Sequence, residues 1–477
     1  MIRTAINRLY SSIHENAGVF FASVLMSLAA IYTIYFTAPH ITIVMLFFSI
    51  PILFIFILRF SEMKYLLIFM LFVDLHYGFS AAGWFSLLFI ASYLITHYST
   101  PYSNLKHSLT FPILVFLIAV VPSMVNIAQW FPSVVLIYNL IAFFLIIAIL
   151  GTTISSVKEI RKTLSFFLAL VVAASIEALF ETLITGKRSF GIAGIMFTDY
   201  SGIGVVVSFV FLALSKGLKR VVYFFIFSIC TLGNIATQTR NSMIVIIICL
   251  IIIGIYLTLK ASHFNLSRSK FVLIGGVGFA IMILLFSAIK QNNPDIVKPT
   301  AEISKDKNQF FNEAGYPTGS IGSRLLIWHT AIQAFEAHPL IGIGIYSFPY
   351  SSQYYRTIPK VLFDLYVKGR TPHVGYLALL VETGVLGLLG FLFFLISSLR
   401  YSFHNLQHLK DKEEKMLGLA LISTLIYISI SMFVTDAWLL GHGIINFAII
   451  IGLLVALGHQ ADNVARTRLI GSMRTWR

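Results

Sequence analysis

The chain has 477 residues, of which 58% are hydrophobic and 11% are charged, and its mean hydropathy is +0.88. A soluble domain carries about 25% charged residues, so this composition excludes an ordinary soluble protein. The net charge of +15 would suit a nucleic-acid-binding protein, but the distribution of the charge described below assigns it to membrane topology instead.

Apolar runs of about 20 residues recur along the chain, and each is long enough to cross a ~30 Å hydrocarbon core. They predict an all-α polytopic membrane protein of about 12–14 transmembrane helices rather than a β-barrel, whose strands would be short and alternating. The first run is longer than the hydrophobic region of a signal peptide and no cleavage site follows it, so we interpret it as a span. The predicted spans are roughly 18–36, 41–58, 64–79, 82–97, 109–127, 133–150, 163–184, 199–215, 221–238, 242–259, 271–289, 374–397, 416–434 and 442–458.

Lysine and arginine are unevenly distributed between the connecting segments. With the N-terminus in the cytoplasm, 22 of the 34 basic residues fall in cytoplasmic segments, three in short outer loops and nine in the long loop 290–373. Short cytoplasmic loops carry an excess of basic residues in membrane proteins, whereas long loops do not follow this rule. We therefore expect both termini to be cytoplasmic and the long loop to lie outside. Cys230 and Cys249 fall inside predicted spans, where core packing explains them better than a disulfide does.

The long loop is the one insertion that needs a structure of its own, because loops of this length are usually functional or disordered. Apolar residues at helical spacing predict an amphipathic helix over 323–337, with Ser323 as its N-cap and His338-Pro339 at its end. We expect this helix to lie on the membrane surface or to pack on the bundle. The predicted organisation is a transmembrane bundle of about 11 spans in 1–289, the outer loop 290–373, C-terminal spans in 374–458 and a basic cytoplasmic tail in 459–477.

Three arginines lie on the side of the membrane where the charge rule disfavours them. Arg188 and Arg240 fall in short outer loops, and Arg324 opens the predicted loop helix. A planar guanidinium donates two parallel hydrogen bonds and therefore suits phosphate groups. The alternative is that each arginine pairs with a nearby carboxylate such as Glu181 or Asp199. For Arg188 both interpretations stay open. For Arg240 and Arg324 the family resemblance described below favours binding of an anionic ligand.

Two further residues near the end of the loop carry candidate chemistry. His373 lies where the loop returns to the membrane, and its imidazole could take a proton from a sugar hydroxyl; the alternative is a histidine that satisfies a helix end. Glu382 lies in the following span, where a carboxylate is costly and is usually functional or paired. We interpret His338 as structural, and the glycines of Gly342-Ile-Gly344 as a tight turn, since the segment lacks the Gly-Lys-Ser/Thr of a phosphate-binding loop.

Taken together, these segments resemble the superfamily of O-antigen ligases, Wzy-type polysaccharide polymerases and bacterial O-oligosaccharyltransferases. Thr239-Arg240-Asn241-Ser242 resembles a Thr-x-Ser-Arg segment of that family, and Phe197-Thr198-Asp199-Tyr200 weakly resembles its Asn-Pro-Asn segment. Two departures concern acceptor handling: Val374 follows the histidine where the family often has Asn, and Asp199 stands in the first segment. The main pattern is Arg324, Trp328, Ala331, His338-Pro339-Leu340, Gly342, Gly344, Phe348, His373, Leu377, Glu382-Thr383-Gly384 and Gly387.

The resemblance implies a GT-C-like helical bundle in the bacterial cytoplasmic membrane that acts on a glycan carried by an isoprenoid pyrophosphate. It implies that Arg240 and Arg324 bind the pyrophosphate and that His373 activates the acceptor hydroxyl, without a metal or other cofactor. We add Arg188 and Glu382 as candidate substrate-binding residues. The expected reaction is an inverting glycosyl transfer to a glycan or lipid-linked glycan, within a membrane of lipids, with a chain-length regulator protein as an additional partner and no nucleic acid.

Several activities share this chemistry. A polymerase extends another lipid-linked repeat, a ligase transfers the chain to a terminal acceptor such as lipid A-core, and a protein O-oligosaccharyltransferase uses a Ser or Thr side chain. We lean towards a polymerase, because that activity serves capsule and exopolysaccharide in many cell types. A polysaccharide flippase or transporter is the alternative of a different class, although the sequence shows none of the repeated halves that many transporters have.

Overall fold

A computed structural model describes residues 60–72, 81–96, 107–191, 193–260, 262, 264, 319–437 and 441–474. The chain divides into two compact units, one comprising residues 1–64 and 91–98 and the other comprising residues 65–90 and 99–477. In the smaller unit the described residues belong to helix ends. All of the functional residues considered below belong to the larger unit.

Helices dominate the described residues, and no strand occurs among them. Turns of 3-10 helix occur at Val121–Asn126, Gly194–Met196 and Ser352–Tyr355. The helices, labelled in chain order, are α1 Phe60–Met70, α2 Ala81–Thr96, α3 Thr110–Val120, α4 Trp130–Thr153, α5 Val157–Thr185, α6 Phe197–Leu214, α7 Leu218–Ala236, α8 Arg240–Leu259, α9 Gly319–Ala337, α10 Phe348–Ser351, α11 Lys360–Tyr366, α12 Gly375–His408, α13 Lys412–Ser431 and α14 Gly441–Arg474.

Eight helices in the described part of the chain are long and apolar enough to cross a membrane, which confirms an all-α polytopic membrane protein. They are α4 to α8, α12, α13 and the first part of α14, and each matches a predicted span. A shorter apolar segment, Thr110–Asn126, matches the prediction at 109–127. The predicted spans 18–36, 41–58 and 271–289 lie outside the described residues, so the total of fourteen stays a prediction, as does the division of the chain at 290 and 373.

Helix α12 continues well past residue 397, where the predicted membrane span ends. The sequence pattern loses its apolar character there, but the polar residues Ser398, Ser402 and Asn405 are buried. The hydroxyls of both serines donate to backbone carbonyls one turn earlier, so they satisfy themselves within the helix. Hydrophobicity marks the membrane span, and it does not show that the helix itself continues to His408.

Short connections alternate between two ends of the bundle in the larger unit. We call one of them the loop end, because side chains near the start of α4 hold the long loop there: the Asn126 amide donates to the carbonyl of Gly342 at 2.7 Å, and the Ser133 hydroxyl donates to that of Ile345 at 2.8 Å. At the opposite end, Arg161 forms an ion pair with Glu413. The helix directions place the starts of α6, α8 and α12 at the loop end.

The loop builds a small hydrophobic core of its own around α9. Buried Ala331 and Ala334 of α9 pack in one cluster with Phe363 of α11 and Val381 of α12, so the helix packs on the bundle as well as on its own loop. The helix ends at Ala337, as predicted, but it begins at Gly319. The prediction of Ser323 as N-cap is therefore wrong, because an N-cap residue precedes the first helical residue, whereas Ser323 lies four residues after the start of the helix.

The turn that follows α9 packs against a glycine kink in α12. Gly384 has φ +67° and ψ −171°, which interrupts the helix. Around this interruption, the N–H of Ile343 donates to the carbonyl of Val381 at 3.0 Å, and the N–H of Val385 donates to that of Pro339 at 2.9 Å. A Cβ on Gly384 would lie 2.2 Å from the carbonyl oxygen of Leu340. The two backbones thus approach as closely as glycine permits.

Candidate functional site

His373 lies at the junction between the loop and α12, in an unusual backbone conformation. Its φ is +58°, in the left-handed region that non-glycine residues rarely adopt. Two contacts hold this conformation: the N–H of His373 donates to Oδ2 of Asp436 at 3.0 Å, and the indole of Trp328 donates to the carbonyl of Pro372 at 3.0 Å. Backbone strain of this kind clusters at functional sites when the surroundings over-determine it.

The His373 imidazole is partly accessible and carries an unusual electrostatic environment. Its side chain is 41% exposed, and Nδ1 lies 4.0 Å from Oδ1 of Asp436, whose side chain is 10% exposed. Burial lowers the pKa of His373, Asp436 acts in the opposite direction, and the positive charges of Arg324 and Arg370 lower the pKa further. The ring is therefore biased towards its neutral form, which is the form that accepts a proton.

Arg324 is half-buried in the second turn of α9, within electrostatic range of His373. Among the described side chains, no carboxylate lies within 4.0 Å of the guanidinium of Arg324 or of Arg240. Of the carboxylates proposed as partners, Glu181 accepts from the Ser189 hydroxyl, and Asp199 accepts from the Tyr427 hydroxyl at 3.5 Å. Carboxylate pairing, the alternative explanation for these arginines, thus finds no support in this part of the chain.

Arg240 is the first residue of α8, and it is exposed at the loop end. The preceding turn contains Gln238 at φ +52°. A buried amide organises this turn, because Nδ2 of Asn234 donates to the carbonyl of Thr198 at 3.0 Å and lies 2.8 Å from the hydroxyl of Ser242 in the first turn of α8. The network fixes the backbone position of Arg240, whose side chain is exposed.

Arg240 and His373 lie at the same end of the bundle without contacting each other. The hydroxyls of Ser242 and Tyr427 are 3.4 Å apart, and the N–H of Gly375 donates to the carbonyl of Met432 at 2.8 Å. A helix rises about 1.5 Å per residue, so the five residues from Tyr427 to Met432 span roughly 7.5 Å along α13. The turns that carry the two side chains are therefore tied to α13 at points roughly 7.5 Å apart along its axis.

Arg188 lies in the loop between α5 and α6, exposed, with its guanidinium 5.2 Å from the centre of the Phe190 ring. The next residue ties this loop to the Arg240 turn, because the N–H of Ser189 donates to the carbonyl of Ala236 at 3.2 Å. A cation over an aromatic ring is a weak interaction at an exposed position. Arg188 thus shares the loop end with Arg240, and its role in substrate binding stays a prediction.

Glu382 lies in α12, two residues before the kink, and is only 7% exposed. Its carboxylate accepts from the backbone N–H of Tyr346 at 2.9 Å and from that of Phe348 at 3.4 Å. Its own carbonyl accepts from the N–H of Gly344 at 3.1 Å. These contacts give Glu382 a definite structural task, to hold the turn after α9, and its proposed contact with substrate stays a prediction.

Sequence reasoning missed two charged residues of this site. Asp436 follows α13 and contacts His373 across the loop end, and Arg370 lies three residues before His373 in the loop. An acidic residue directly after an apolar span, at the same end as the candidate histidine, was the available signal for Asp436. Nothing in the local sequence indicates that it meets His373, because the contact joins segments more than 60 residues apart.

Residues 223–392 match the family model Wzy_C, described as O-antigen ligase. The match confirms the resemblance recognised from the sequence: this part of the chain, less than half of its length, is similar to the O-antigen ligase family, whose members transfer glycans in surface glycan assembly. Arg240, Arg324, His373 and Glu382 all lie within the matched segment, whereas Arg188 and Asp436 lie outside it. A comparison with curated proteins finds no match.

Proposed function

We propose that the protein transfers a glycan from an isoprenoid-pyrophosphate carrier to an acceptor hydroxyl at the loop end of the bundle, on the outer face of the cytoplasmic membrane. The observation that carries this proposal is the arrangement around His373. A partly exposed imidazole, biased towards its neutral form and held in a strained conformation by Asp436, lies within electrostatic range of a half-buried arginine. A base beside a cationic site is what a glycosyl transfer with a pyrophosphate leaving group requires.

In the proposed reaction, His373 takes the proton of the acceptor hydroxyl while the oxygen attacks the anomeric carbon of the donor sugar. The bond between this carbon and the pyrophosphate oxygen breaks on the opposite face, so the configuration inverts and the lipid pyrophosphate leaves. The imidazolium that forms lies beside the carboxylate of Asp436, which stabilises its positive charge. Its proton then passes to solvent, to which the ring is open.

The leaving group gains negative charge as the bond breaks, and in this proposal Arg240 and Arg324 stabilise that charge. Fixed cations aimed at developing charge lower the barrier without rearrangement of solvent. Both guanidinium groups lack a carboxylate partner among the described side chains, so they need not give up an ion pair before they bind phosphate. A pyrophosphate is already a good leaving group, and in this proposal the arginines neutralise its negative charge as a metal ion would.

The depth of the site suits a lipid-linked donor. His373 lies two residues before the start of α12, so its ring belongs near the headgroup region, where the pyrophosphate of a membrane-anchored donor lies. The distribution of basic residues supports an outward-facing loop end, since short segments at the opposite end carry most of the positive charge. A donor presented at the outer leaflet would meet His373 and both arginines there.

The test uses full-length protein in proteoliposomes that contain lipid-linked oligosaccharide purified from the source cells. An enzyme of this class changes the glycan: a ladder of longer lipid-linked glycans indicates a polymerase, and one transfer to a non-repeating acceptor indicates a ligase. A glycan attached to Ser or Thr of an added protein indicates an O-oligosaccharyltransferase. Movement of unchanged oligosaccharide across the bilayer, with no new glycosidic bond, would replace the proposal with a flippase.

A further inference from the structure

We propose that Tyr346 and Tyr350 form the subsite for the acceptor sugar, with the Tyr346 hydroxyl and Asp436 holding the sugar beside His373. This inference rests on the proposed function and adds to it the residues that recognise the neutral part of the acceptor. Three features of the molecule support it. The backbone of Tyr346 is constrained, its hydroxyl lies near carboxylates, and the charge of this region differs from that around the arginines.

The backbone of Tyr346 is held in place at a conformational cost. Its φ is +53°, which makes it one of three non-glycine residues with positive φ in the described part of the chain. The other two are Gln238, in the turn before Arg240, and His373. The N–H of Tyr346 donates to the buried carboxylate of Glu382 at 2.9 Å. Glu382 therefore acts as a positioning residue, and the strain that it maintains determines where the Tyr346 ring starts.

The Tyr346 side chain approaches the carboxylate that holds His373. Tyr346 is half-buried, and its hydroxyl interacts electrostatically with Asp436. Burial raises the pKa of Tyr346, and Tyr350, Glu382 and Asp436 add to the effect, so the hydroxyl keeps its proton. No described group forms a hydrogen bond with this hydroxyl in the structure, and it is a donor ready for a ligand.

Tyr350 lies on the next turn and widens the aromatic surface. The centres of the Tyr346 and Tyr350 rings are 6.1 Å apart and their planes meet at 66°. A pyranose ring presents one face of C–H groups and a rim of hydroxyls. An aromatic residue with a polar tip matches both parts, because its ring covers apolar surface and its hydroxyl hydrogen-bonds.

Charge separates this subsite from that of the donor pyrophosphate. Among the described groups, those that act electrostatically on the Tyr346 hydroxyl are Tyr350, Glu382 and Asp436, and none of these is a cation. A pyrophosphate would be repelled there and attracted to the arginines, whereas an uncharged sugar is not repelled. The acceptor sugar is therefore the substrate part that this region fits, with its reactive hydroxyl within reach of the base.

The experiment measures sugar binding separately from catalysis. A panel of methyl glycosides of common hexoses, 6-deoxyhexoses and N-acetylhexosamines is titrated against the purified full-length protein in detergent, with binding followed by saturation-transfer NMR. Tyr346→Phe keeps the ring and backbone and removes only the hydroxyl, Tyr350→Leu removes the second ring, and Tyr354→Phe is the matched control on the same loop, at a tyrosine that is 77% exposed. Thermal melting of each variant establishes that it is folded.

We expect at least one glycoside to bind the wild type and Tyr354→Phe equally, and to bind Tyr346→Phe about threefold to tenfold more weakly, as loss of one hydrogen bond predicts. Tyr350→Leu should weaken the same glycoside. Equal binding by Tyr346→Phe, or binding of no glycoside by the wild type, would overturn the inference. Consumption of lipid-linked donor by the wild type is measured in parallel: if it occurs, a failure here leaves the proposed function standing, and if it does not, the proposed function fails.

Discussion

The N–H of His373 donates to the carboxylate of Asp436 at 3.0 Å, and this bond joins the end of the long loop to the segment that follows α13. One carboxylate thus fixes the backbone of the candidate base and lies beside its ring. The same carboxylate interacts with the Tyr346 hydroxyl, which the turn after α9 supplies. Asp436 therefore acts on groups from two distant parts of the sequence, the backbone and ring of His373 and the hydroxyl of Tyr346.

The pH dependence of transfer should report the surroundings of His373. A general base acts in its neutral form, so the rate falls as the pH drops through its pKa. Since burial and two arginines lower this pKa, the acid limb of the pH profile should have its midpoint below the ordinary histidine value of about 6.5. Replacement of Arg370 by Gln removes one of the lowering charges and should move the midpoint to higher pH.

The measurement is the initial transfer rate at saturating donor between pH 4.5 and 8.5, for the wild type, Arg370→Gln and the control Arg356→Gln. Arg356 is an exposed loop arginine that does not figure among the charges acting on His373. An acid limb that does not move in Arg370→Gln would show that the titrating group is not His373, or that Arg370 does not act on it.

The loop's attachment to α12 should depend on the glycines at the kink. A Cβ on Gly342 would lie 2.4 Å from the backbone of Glu382, and the φ of Gly342 is +71°. Gly342→Ala should therefore separate the turn from α12, lower the melting temperature and abolish transfer. Gly369→Ala is a matched control, because Gly369 has nearly the same φ, +72°, with no atom within 4 Å of an added Cβ.

The control carries only the conformational cost of a left-handed residue, roughly 1–2 kcal/mol. Any additional loss in Gly342→Ala measures the close approach of the two backbones. Melting is followed in detergent with a thiol-independent fluorescent or light-scattering readout. If both variants lose the same stability, the close contact between Gly342 and Glu382 does not contribute to holding the loop.

The elements that sequence reasoning placed correctly are those that a local pattern specifies. The spans from α3 onward, the loop helix and its end at Ala337 follow from apolar periodicity and from a His-Pro step. The positions of Arg324 and His373 within one site came from a resemblance to a family, since no local pattern brings a loop helix next to a span. The kink at Gly384 and the Asp436 contact arise from tertiary packing, which explains why neither was predicted.

Glu382 is a second residue whose tertiary contacts the local sequence does not reveal. A carboxylate in a membrane span predicts function or pairing, and the sequence could not say which. The structure pairs it with the backbone N–H groups of Tyr346 and Phe348, which lie in a turn with no charged residue to reveal the contact. The structure thus shows that Glu382 positions the turn that carries Tyr346, while its contact with substrate stays a prediction.

The orientation of the loop end can be tested by thiol labelling in intact cells or spheroplasts. Gln353→Cys places a thiol on an exposed loop position, and Lys410→Cys places one at the opposite end of the bundle. The two native cysteines are buried, so they give little background. An impermeant maleimide should label Gln353→Cys before lysis and Lys410→Cys only after it. The reverse pattern would contradict an outward-facing site.

Arg324→Lys should impair transfer although it keeps the positive charge. A lysine ammonium is a point charge and cannot reproduce the two parallel hydrogen bonds of a guanidinium. Loss of one charge-assisted bond is worth roughly 1.5–3 kcal/mol, so the rate should fall about 10- to 100-fold. Arg356→Lys on the same loop serves as the control and should retain normal activity. Equal turnover by Arg324→Lys at matched expression would mean that Arg324 is structural or acts through its charge alone.

His373→Ala should remove transfer while it leaves the fold and donor binding intact. The ring is 41% exposed, so its loss creates no large cavity, and the proposed contacts to the pyrophosphate come from arginines elsewhere. General-base catalysis is typically worth ~10²–10⁴-fold, and the rate should fall at least by the lower value. His329→Ala is the matched control, because His329 is an exposed loop histidine whose ring hydrogen-bonds to the hydroxyl of Thr357.

The assay follows product from lipid-linked oligosaccharide at equal amounts of protein, and donor binding is measured separately. Product formation near the wild-type rate would remove His373 from the role of base, and loss of donor binding alone would assign it to the pyrophosphate site instead.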